Sequence, residues 1–479
     1  MNSAEAMDRI FNPASVAVVG ASPGKSGQEF LEGLIGYGFE GRIYPINSRG
    51  EEVCGQPAYS DIKDVPGPID YVVCCAPAPA VPGLIRDCAA KGVRAIGLFT
   101  AGFSESGSEE GSRLEAEIAH LARSVGVRLI GPNCLGIYNP KLRLTFGYPH
   151  PQGVGRVAFM CQSGGNTSYI IRAVGQRGVR FSKAISFGNA CDINDGELME
   201  YFAQDPETDV IAAYIEGVRD GPRFRRAVMR AAAAKPVIVH KGGYTPAGAG
   251  AAASHTGSLA GSDRVWDELL EAAGAIRVHS LEDLVDMIVT FSLLRPPQGR
   301  RVALFGGGGG ATVVATDDWD RSGFTLPPIP HAVRKDISGM VTSEAGLILT
   351  NPLDLSSFAY SDDFYGLVRR LCQDTAFADL SVIHIGFAQM AWFSETNYSL
   401  VVDGLREAAM RMYPEMDRPL ALAVQYLVTT WDWQKALQDL QEPCSEVGIP
   451  VYYSMASAAR AIDRFMRYRE WRGVAGGES

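Results

Sequence analysis

Positive charge is in short supply. The 479 residues carry 44 Lys and Arg against 54 Asp and Glu, a net charge of −10. Without a basic excess or a basic stripe there is nothing to neutralise a phosphate backbone, so a nucleic-acid reader is excluded. No apolar run approaches the ~20 residues that span a bilayer, so no membrane partner is expected. The opening MNSAEAMDRIF has no basic segment followed by an apolar one, so no secretory leader is expected and the protein is placed in the cytoplasm. The nine cysteines form no CxxC pair and their number is odd. A disulfide framework is not expected, and no His/Cys cluster has zinc spacing, so no metal site is expected either. Cys74 and Cys75 lie in an apolar run and read as small core residues. Apolar residues at 46 % and charged residues at 20 % exclude a disordered or fibrous chain. At roughly 150 residues per domain, the length suggests about three domains.

What is present is alternation. Short β-branched runs alternate with amphipathic helical stretches, the pattern of parallel sheets covered by helices on both faces. The first block predicts strands at 15–19, 42–46, 69–75, 94–98 and 127–130, closed by the turn cluster GPNCLGIYNP at 131–140. The second predicts strands at 156–160, 181–186, 209–215 and 236–240, ending in helices at about 262–273 and 280–294. Pro296, Pro297 and Gly299 then make a linker. The third opens at 301–305 on a run of five glycines, with later strands near 380–385, 419–425 and 449–453 and a last helix at 455–471. SVAVVGAS, RVAFMCQSGG and RVALFGGGGG open the three blocks alike. Each is a buried strand entering a small-residue turn before a helix, where backbone N–H groups and the helix dipole favour anions.

The first such turn is Gly20-Ala-Ser22-Pro-Gly24-Lys25-Ser-Gly27. Its glycines admit a phosphate close to the backbone, but Ser22 stands where a G-x-G-x-x-G fingerprint has its second glycine. The second strand ends Tyr-Pro-Ile-Asn47-Ser-Arg49 with no acid for an NAD ribose, and Arg49 suits an extra ribose phosphate. NADP and coenzyme A both remain open, as does a glycine-rich turn without a ligand. The third strand ends in Cys75-Ala76-Pro77, an edge able to flank an adenine or pantetheine, or simply to start the next helix.

The second turn is Cys161-Gln162-Ser163-Gly164-Gly165-Asn166, a source of N–H donors for a phosphate. Residues 242–261, GGYTPAGAGAAASHTGSLAG, contain no Asp, Glu, Lys or Arg, and are long for an ordinary connection. Their one imidazole, His255, has the chemistry of a nucleophile that attacks phosphorus and then carries the phosphoryl group. A loop whose histidine does nothing is the competing reading. Strand 209–215 ends in Glu216, a carboxylate that could accept the proton of the other ring nitrogen and set the tautomer, or be a solvated strand end. The three features are informative only together.

The ordered segments GASPGKSG, YPINSRG, TAGFSE, GPNCLGIYNP, QSGG, SFGNACDI, YIEGV, AAASHTGSLAGSD and NPLDL resemble the α subunit of the NDP-forming (ADP-forming) acyl-CoA synthetases, the succinyl-CoA synthetase superfamily, over about residues 8–471. The resemblance implies an α/β chain with a Rossmann-like CoA-binding domain at 1–140. A ligase domain with the phosphohistidine loop follows at 150–296, and a second flavodoxin-like ligase domain at 300–475. It implies that Gly20, Ser22, Gly24, Lys25, Gly27, Asn47, Arg49, Ala76 and Pro77 lie along CoA. His255 would be the phosphoryl carrier, Glu216 its hydrogen-bond partner, and Ser163, Gly164, Gly165 and Asn166 the phosphate cradle. Asn133 and Cys134 would lie near the reacting acid.

The implied reaction exchanges carboxylic acid, CoA and ATP for acyl-CoA, ADP and phosphate through an acyl phosphate. Fused relatives continue into an ATP-grasp portion, and no segment here offers an ATP and Mg²⁺ site. The resemblance therefore implies a separate ATP-grasp β subunit that brings ATP/ADP and Mg²⁺, in a hetero-oligomer or around a homodimer of α chains. Two other classes compete: a CoA- or acyl-CoA-binding regulatory protein without the relay, and an NADP-dependent oxidoreductase. The glycine spacing and the lack of a hydride-transfer constellation weigh against the second.

Overall fold

The computed structural model describes residues 3–147, 149–250, 262–306, 308–339, 349–354, 377–386, 413, 416–425 and 431–476. His255 lies outside them. The chain forms two compact units, residues 1–175 with 180–284, and residues 176–179 with 285–479.

The first unit contains two sheets. In the first, β1 (Ser15–Val19), β2 (Arg42–Ile46), β3 (Tyr71–Cys74), β4 (Ala95–Leu98) and β5 (Arg128–Ile130) are all parallel, in the order β2-β1-β3-β4-β5. Their apolar runs are buried nearly throughout, as strands covered on both faces must be. Between β1 and β2 lies α1's successor in the chain, so the helices are numbered from α1 (Ser3–Phe11) and α2 (Ser26–Tyr37) to α3 (Val81–Lys91) and α4 (Glu109–Val125). The helix ends are written in the sequence. Ser108 accepts the Gly111 N–H at the start of α4, and Gly126 closes it in the left-handed region at φ 78°, the pairing of cap residues that helix termini favour.

The second sheet has the order β11-β10-β9-β7-β8-β6, with β6 (Gly136–Tyr138), β7 (Val157–Cys161), β8 (Phe181–Ser186), β9 (Val210–Ile215), β10 (Val237–Lys241) and β11 (Ile276–Val278). Only β6 runs antiparallel, pairing Gly136 with Ser186 and Tyr138 with Ala184. The turn cluster at 131–140 therefore does not simply close the first sheet. It leaves β5 and hands the chain to the edge of the second. The helices of this layer are α5 (Gly164–Gln176), α6 (Asp195–Gln204), α7 (Gly221–Ala234), α8 (Asp263–Ala273) and α9 (Leu281–Leu293). The uncharged stretch that begins at Gly242 opens with a helical turn over 246–250, where Gly248 N–H donates to Thr245 Oγ1 at 3.1 Å.

The second unit carries a four-stranded parallel sheet, β12 (Val302–Gly306), β13 (Leu380–Gly386), β14 (Leu420–Gln425) and β15 (Val451–Tyr452), in chain order. Its core gathers Phe305, Ile329, Leu353, Ile383, Leu422 and Leu440. Among the described residues no helix is long and apolar enough to cross a membrane.

Candidate active site

The carboxyl ends of β1, β2 and β3 meet at one edge of the first sheet. Gly20 and Ala21 N–H both donate to Ile46 O, at 2.9 and 3.1 Å. Gly20 has φ 86°, and a Cβ there would stand 3.0 Å from the Cys75 carbonyl, so only glycine lets the two strand ends approach so closely. A Cβ on Gly27 would lie 2.4 Å from Gly20 O, which ties the start of α2 onto the turn. Gly24 has nothing within 4 Å of where its Cβ would stand, and its N–H donates to Gln28 Oε1 at 2.7 Å, so the tip of the turn is fixed by the first turn of α2. Ser22 is half-buried beside it and Lys25 is exposed.

Asn47 is buried and fully engaged in shaping this edge. Its Nδ2 donates to Ala21 O and Glu51 O at 3.1 and 2.8 Å, and its Oδ1 accepts the N–H groups of Arg49 and Glu51. It holds the turn and leaves Arg49, whose side chain is 77 % exposed, standing free of the cradle at 3.6 Å from Glu51. Ala76 and Pro77 complete the edge, with Thr100 Oγ1 donating to Ala76 O at 2.7 Å. Lys25 and Arg49 at the rim, with the N-terminus of α2 behind the turn, are the groups here that fit the phosphates of CoA.

A second site opens where the two sheets of this unit adjoin. A cavity of about 550 Å³ is walled on one side by Phe99, Asn133, Cys134 and Leu135, beyond β4 and β5. On the other side stand Gln162, Ser163, Gly164 and Gly165 at the start of α5, then Ser168 and Arg172 along it. The structure thus brings Asn133 and Cys134 to the glycine turn, while the 20–27 loop is not part of this wall. Asn133 sits at φ 57°, its N–H bonded to Thr100 O. Gly188 is packed under the turn so tightly that a Cβ would meet Pro132 O at 2.1 Å. Cys134 is buried, and burial pushes its thiol up to about 12, so it is a neutral wall rather than a nucleophile.

The start of α5 is capped by Ser163. Ser163 Oγ accepts the Asn166 N–H at 3.3 Å, and Ser163 O accepts the Thr167 hydroxyl at 2.6 Å. Gly165 has no atom within 4 Å of a built Cβ. One residue earlier, Gln162 reaches across to the end of β9. Its Oε1 accepts the N–H groups of Glu216 and Gly217 at 2.5 and 3.0 Å, and its Nε2 donates to Gly217 O at 2.9 Å. Glu216 is 6 % exposed. Its carboxylate lies near the Tyr214 side chain, Lys241 and the Cys161 thiol. Burial pushes that thiol up to about 12. Burial also lowers the Lys241 ammonium from its usual value, against the pull of Glu216.

Beyond Glu216 the chain is clamped again. Arg219 donates to Glu115 Oε1 at 2.5 Å and to Asn189 O at 2.8 Å, and Asn189 Nδ2 donates to Glu115 at 2.8 Å. The TAGFSE loop joins this cluster through Ser104, which donates to Glu115 at 2.6 Å.

Gln162, Tyr214 and the Glu115–Asn189–Arg219 cluster were absent from the residues singled out by sequence. Tyr214 had one available signal: residues i and i+2 of a strand share a face, so Tyr214 and Glu216 point the same way. Nothing in the sequence marks Arg219 against Glu115, 104 positions away. Among the described residues no group of three or more His, Cys, Asp or Glu side chains is placed to hold a metal ion.

A cation-rimmed glycine turn on one sheet, and a second glycine turn beside a buried glutamate on the next, fit an acyl-CoA ligase. The relatives agree. Residues 14–140 match the CoA binding domain family, and residues 154–291 the succinyl-CoA ligase like flavodoxin domain family. The chain is 34 % identical over 474 residues to the acetate–CoA ligase [ADP-forming] I subunit alpha of Pyrococcus furiosus, covering 97 % of this chain and 98 % of that one. It is 37 % identical over 371 residues to the II subunit alpha of the same organism, covering 77 % and 80 %. The solved structure of the dinucleotide forming acetyl-coenzyme A synthetase 1 of Ca. Korarchaeum cryptofilum, in complex with phosphate and ADP, superposes with a TM-score of 0.80 at 31 % identity, covering 98 % of this chain and 97 % of that one. The chain belongs to the ADP-forming acyl-CoA synthetase family, as an α subunit, and CoA is among its ligands.

Proposed function

We propose that this α subunit runs its reaction through a phosphohistidine at His255, in the order acid + CoA + ATP ⇌ acyl-CoA + ADP + phosphate. In the synthetic direction the γ-phosphoryl group of ATP passes to an imidazole nitrogen of His255, releasing ADP. A carboxylate oxygen of the acid then takes the phosphoryl group from nitrogen, giving an acyl phosphate, and the thiol of CoA displaces inorganic phosphate. Glu216 accepts the proton on the other ring nitrogen and favours the charged imidazole while phosphate is carried. The turn Ser163, Gly164, Gly165 and Asn166 cradles the phosphoryl oxygens, with the N–H groups of the first three and the dipole of α5 stabilising them and the Asn166 N–H held by Ser163 Oγ. CoA lies over Gly20, Ser22, Gly24, Lys25 and Gly27, with Arg49 at a phosphate and Asn47, Ala76 and Pro77 shaping the edge.

The observation that carries this reading is the Gln162 bridge. The residue that opens the phosphate turn also grips the backbone of Glu216 with one hydrogen bond and that of Gly217 with two, so carboxylate and anion cradle form one rigid site.

The domain assignment follows: CoA on 1–140, the relay on 150–296, and a supporting domain at 300–475. The acid enters the 550 Å³ cavity beside Asn133 and Cys134. Acetate, named for the relatives, is the first acid to test. ATP and Mg²⁺ are brought by a separate ATP-grasp β chain, in keeping with the relatives' description as alpha subunits, in a hetero-oligomer in the cytoplasm. The test is labelling with γ-labelled ATP, Mg²⁺ and the β chain. Acid-labile, alkali-stable label that disappears in His255→Ala is expected. Label that persists in that variant removes His255 from the relay. No label with a competent β chain, alongside tight CoA binding, turns the reading to a CoA-binding regulatory protein.

A further inference from the structure

The cavity beside the phosphate turn is larger than the acid named for the relatives needs. Its 550 Å³ falls among sites of roughly 300–1,000 Å³ that enclose a drug-sized molecule. Acetate, with a volume of a few waters at about 30 Å³ each, fills a small part of it. The wall is of two kinds. Phe99, Cys134 and Leu135 give an apolar side. Leu135 lies against the turn itself, where a Cβ on Gly164 would come 3.1 Å from its Cγ. Along α5 the wall turns polar, with Ser168 and then the charged Arg172.

Gly164, Ser168 and Arg172 recur every four residues of α5, so they follow one face of the helix away from its N-terminus. From Gly164 to Arg172 the helix rises by roughly 12 Å, at about 1.5 Å per residue. A phosphoryl group held at the turn sits beyond the N-terminus, farther still from Arg172. The carboxylate oxygen that attacks it comes within about 3–3.5 Å of phosphorus. That carboxylate is beyond the span of the Arg172 side chain. The phosphates of CoA do not come here either, because the 20–27 loop is not part of this wall and the pantetheine arm is uncharged. A cation so placed calls for a different anion. Ser168 Oγ, one helical turn nearer the phosphate, is buried with no hydrogen-bond partner among the described residues, a cost that a ligand oxygen would remove. Side chains on a helix lean toward its N-terminus, which is the direction from Arg172 to Ser168.

We propose that the acid substrate is a dicarboxylic acid, whose first carboxylate reacts at the turn while its second is bound by Arg172 and Ser168. The methylene chain between them lies against Phe99 and Leu135. The planar guanidinium takes a carboxylate through two parallel N–H bonds, and the serine hydroxyl donates a third. The proposal rests on the relay reading only for the place of the reacting carboxylate.

The test uses the α chain assembled with its β chain, CoA, ATP and Mg²⁺. Straight-chain acids of equal carbon number are compared: hexanoate with adipate, and octanoate with suberate. The dicarboxylic acid is expected to have the higher kcat/KM by about tenfold or more, the worth of a hydrogen-bonded charged group. Arg172→Gln brings the ratio near one, through the KM of the dicarboxylic acid. Arg172→Glu reverses the charge and favours 6-aminohexanoate over adipate. Arg172 is exposed and both replacements are good helix formers, so α5 keeps its fold, which CoA calorimetry checks.

Equal use of both acids by the wild type overturns the proposal, as does turnover of acetate without turnover of either series. An Arg172→Gln chain that loses both acids alike overturns it too, by showing a role that ignores the second carboxylate. So does an Arg172→Glu chain that still prefers adipate. Labelling by ATP with no acid present reports the relay by itself. Label that persists in His255→Ala removes the relay, while the acid preference and its loss in Arg172→Gln are read independently.

Discussion

Gln162 offers the sharpest trial of the site's construction. It is 5 % exposed and spends its side chain on three backbone groups of Glu216 and Gly217. Gln162→Leu keeps the volume and removes all three bonds. At about 1 kcal/mol net for each bond, the folded state loses roughly 3 kcal/mol. For a chain of 479 residues, at about 2.1 cal/mol/K per residue, each kcal/mol moves Tm by roughly 1 °C, so a fall of about 3 °C is expected. The functional loss should be out of proportion to the stability loss. Glu216 would keep its charge but lose its fixed backbone, and placement errors near 1 Å in such sites cost about a hundredfold in rate.

Gln162→Glu separates geometry from charge. The carboxylate can still accept both N–H groups, but it meets the Gly217 carbonyl without a proton to give. It also sets a second negative charge beside Glu216, so repulsion between the two carboxylates adds to the loss. The assays are thermal unfolding, single-turnover labelling between pH 5 and 8, and CoA binding, which should hold in both variants because the CoA edge lies on the other sheet. Gln162→Leu that labels at the wild-type rate below its melting range would refute the argument that this bridge builds the site.

Other outcomes follow from the same geometry. Arg49→Ala should weaken CoA binding about tenfold and flatten its salt dependence, leaving the labelling rate alone; unchanged calorimetric affinity would place the ribose phosphate elsewhere. Cys134→Ser should retain at least half of turnover, because the buried thiol, pushed up to about 12, is neutral at working pH; a loss beyond tenfold would make the sulfur a reactant. Asp195 is raised from 3.8 to about 6, first by burial and against the N–H groups of its own turn. A carboxyl raised on folding favours the folded state at low pH, and that advantage is lost as pH climbs from about 4 through 6. Asp195→Asn should therefore shrink the difference in urea midpoint between pH 5 and pH 8, and an unchanged difference would show that Asp195 ionises freely in the fold.

Much of the architecture was legible before any coordinates. SVAVV, RIYPI and FSKAIS become strands with the limits read from the sequence; for SVAVV the reason is that a strand buried on both faces needs an unbroken apolar or β-branched run. Gly38, Gly92 and Gly126 end helices in the left-handed region, a local requirement that the residue itself announces. The strand Gly136–Tyr138 was not legible. Three residues between Leu135 and Asn139 carry too little pattern to outweigh the turn signals around them. Their strand character comes from a partner, β8, about fifty positions downstream.

The division at the active site is the same. Sequence alone determined the chemistry on offer: an uncharged arm bearing His255, a carboxylate at a strand end, two glycine turns and Arg49. These are properties of residue types in local order, and they survive without knowledge of neighbours. Tertiary structure decided which groups are gripped and by what. It turned Asn47 inward to hold the 20–27 turn, joined Gln162 to Glu216 across 54 positions, and clamped Arg219 onto Glu115 across 104 positions. Hydrogen bonds of that kind depend on sheet order and register, which bring distant strand ends to one edge, and no local pattern encodes them.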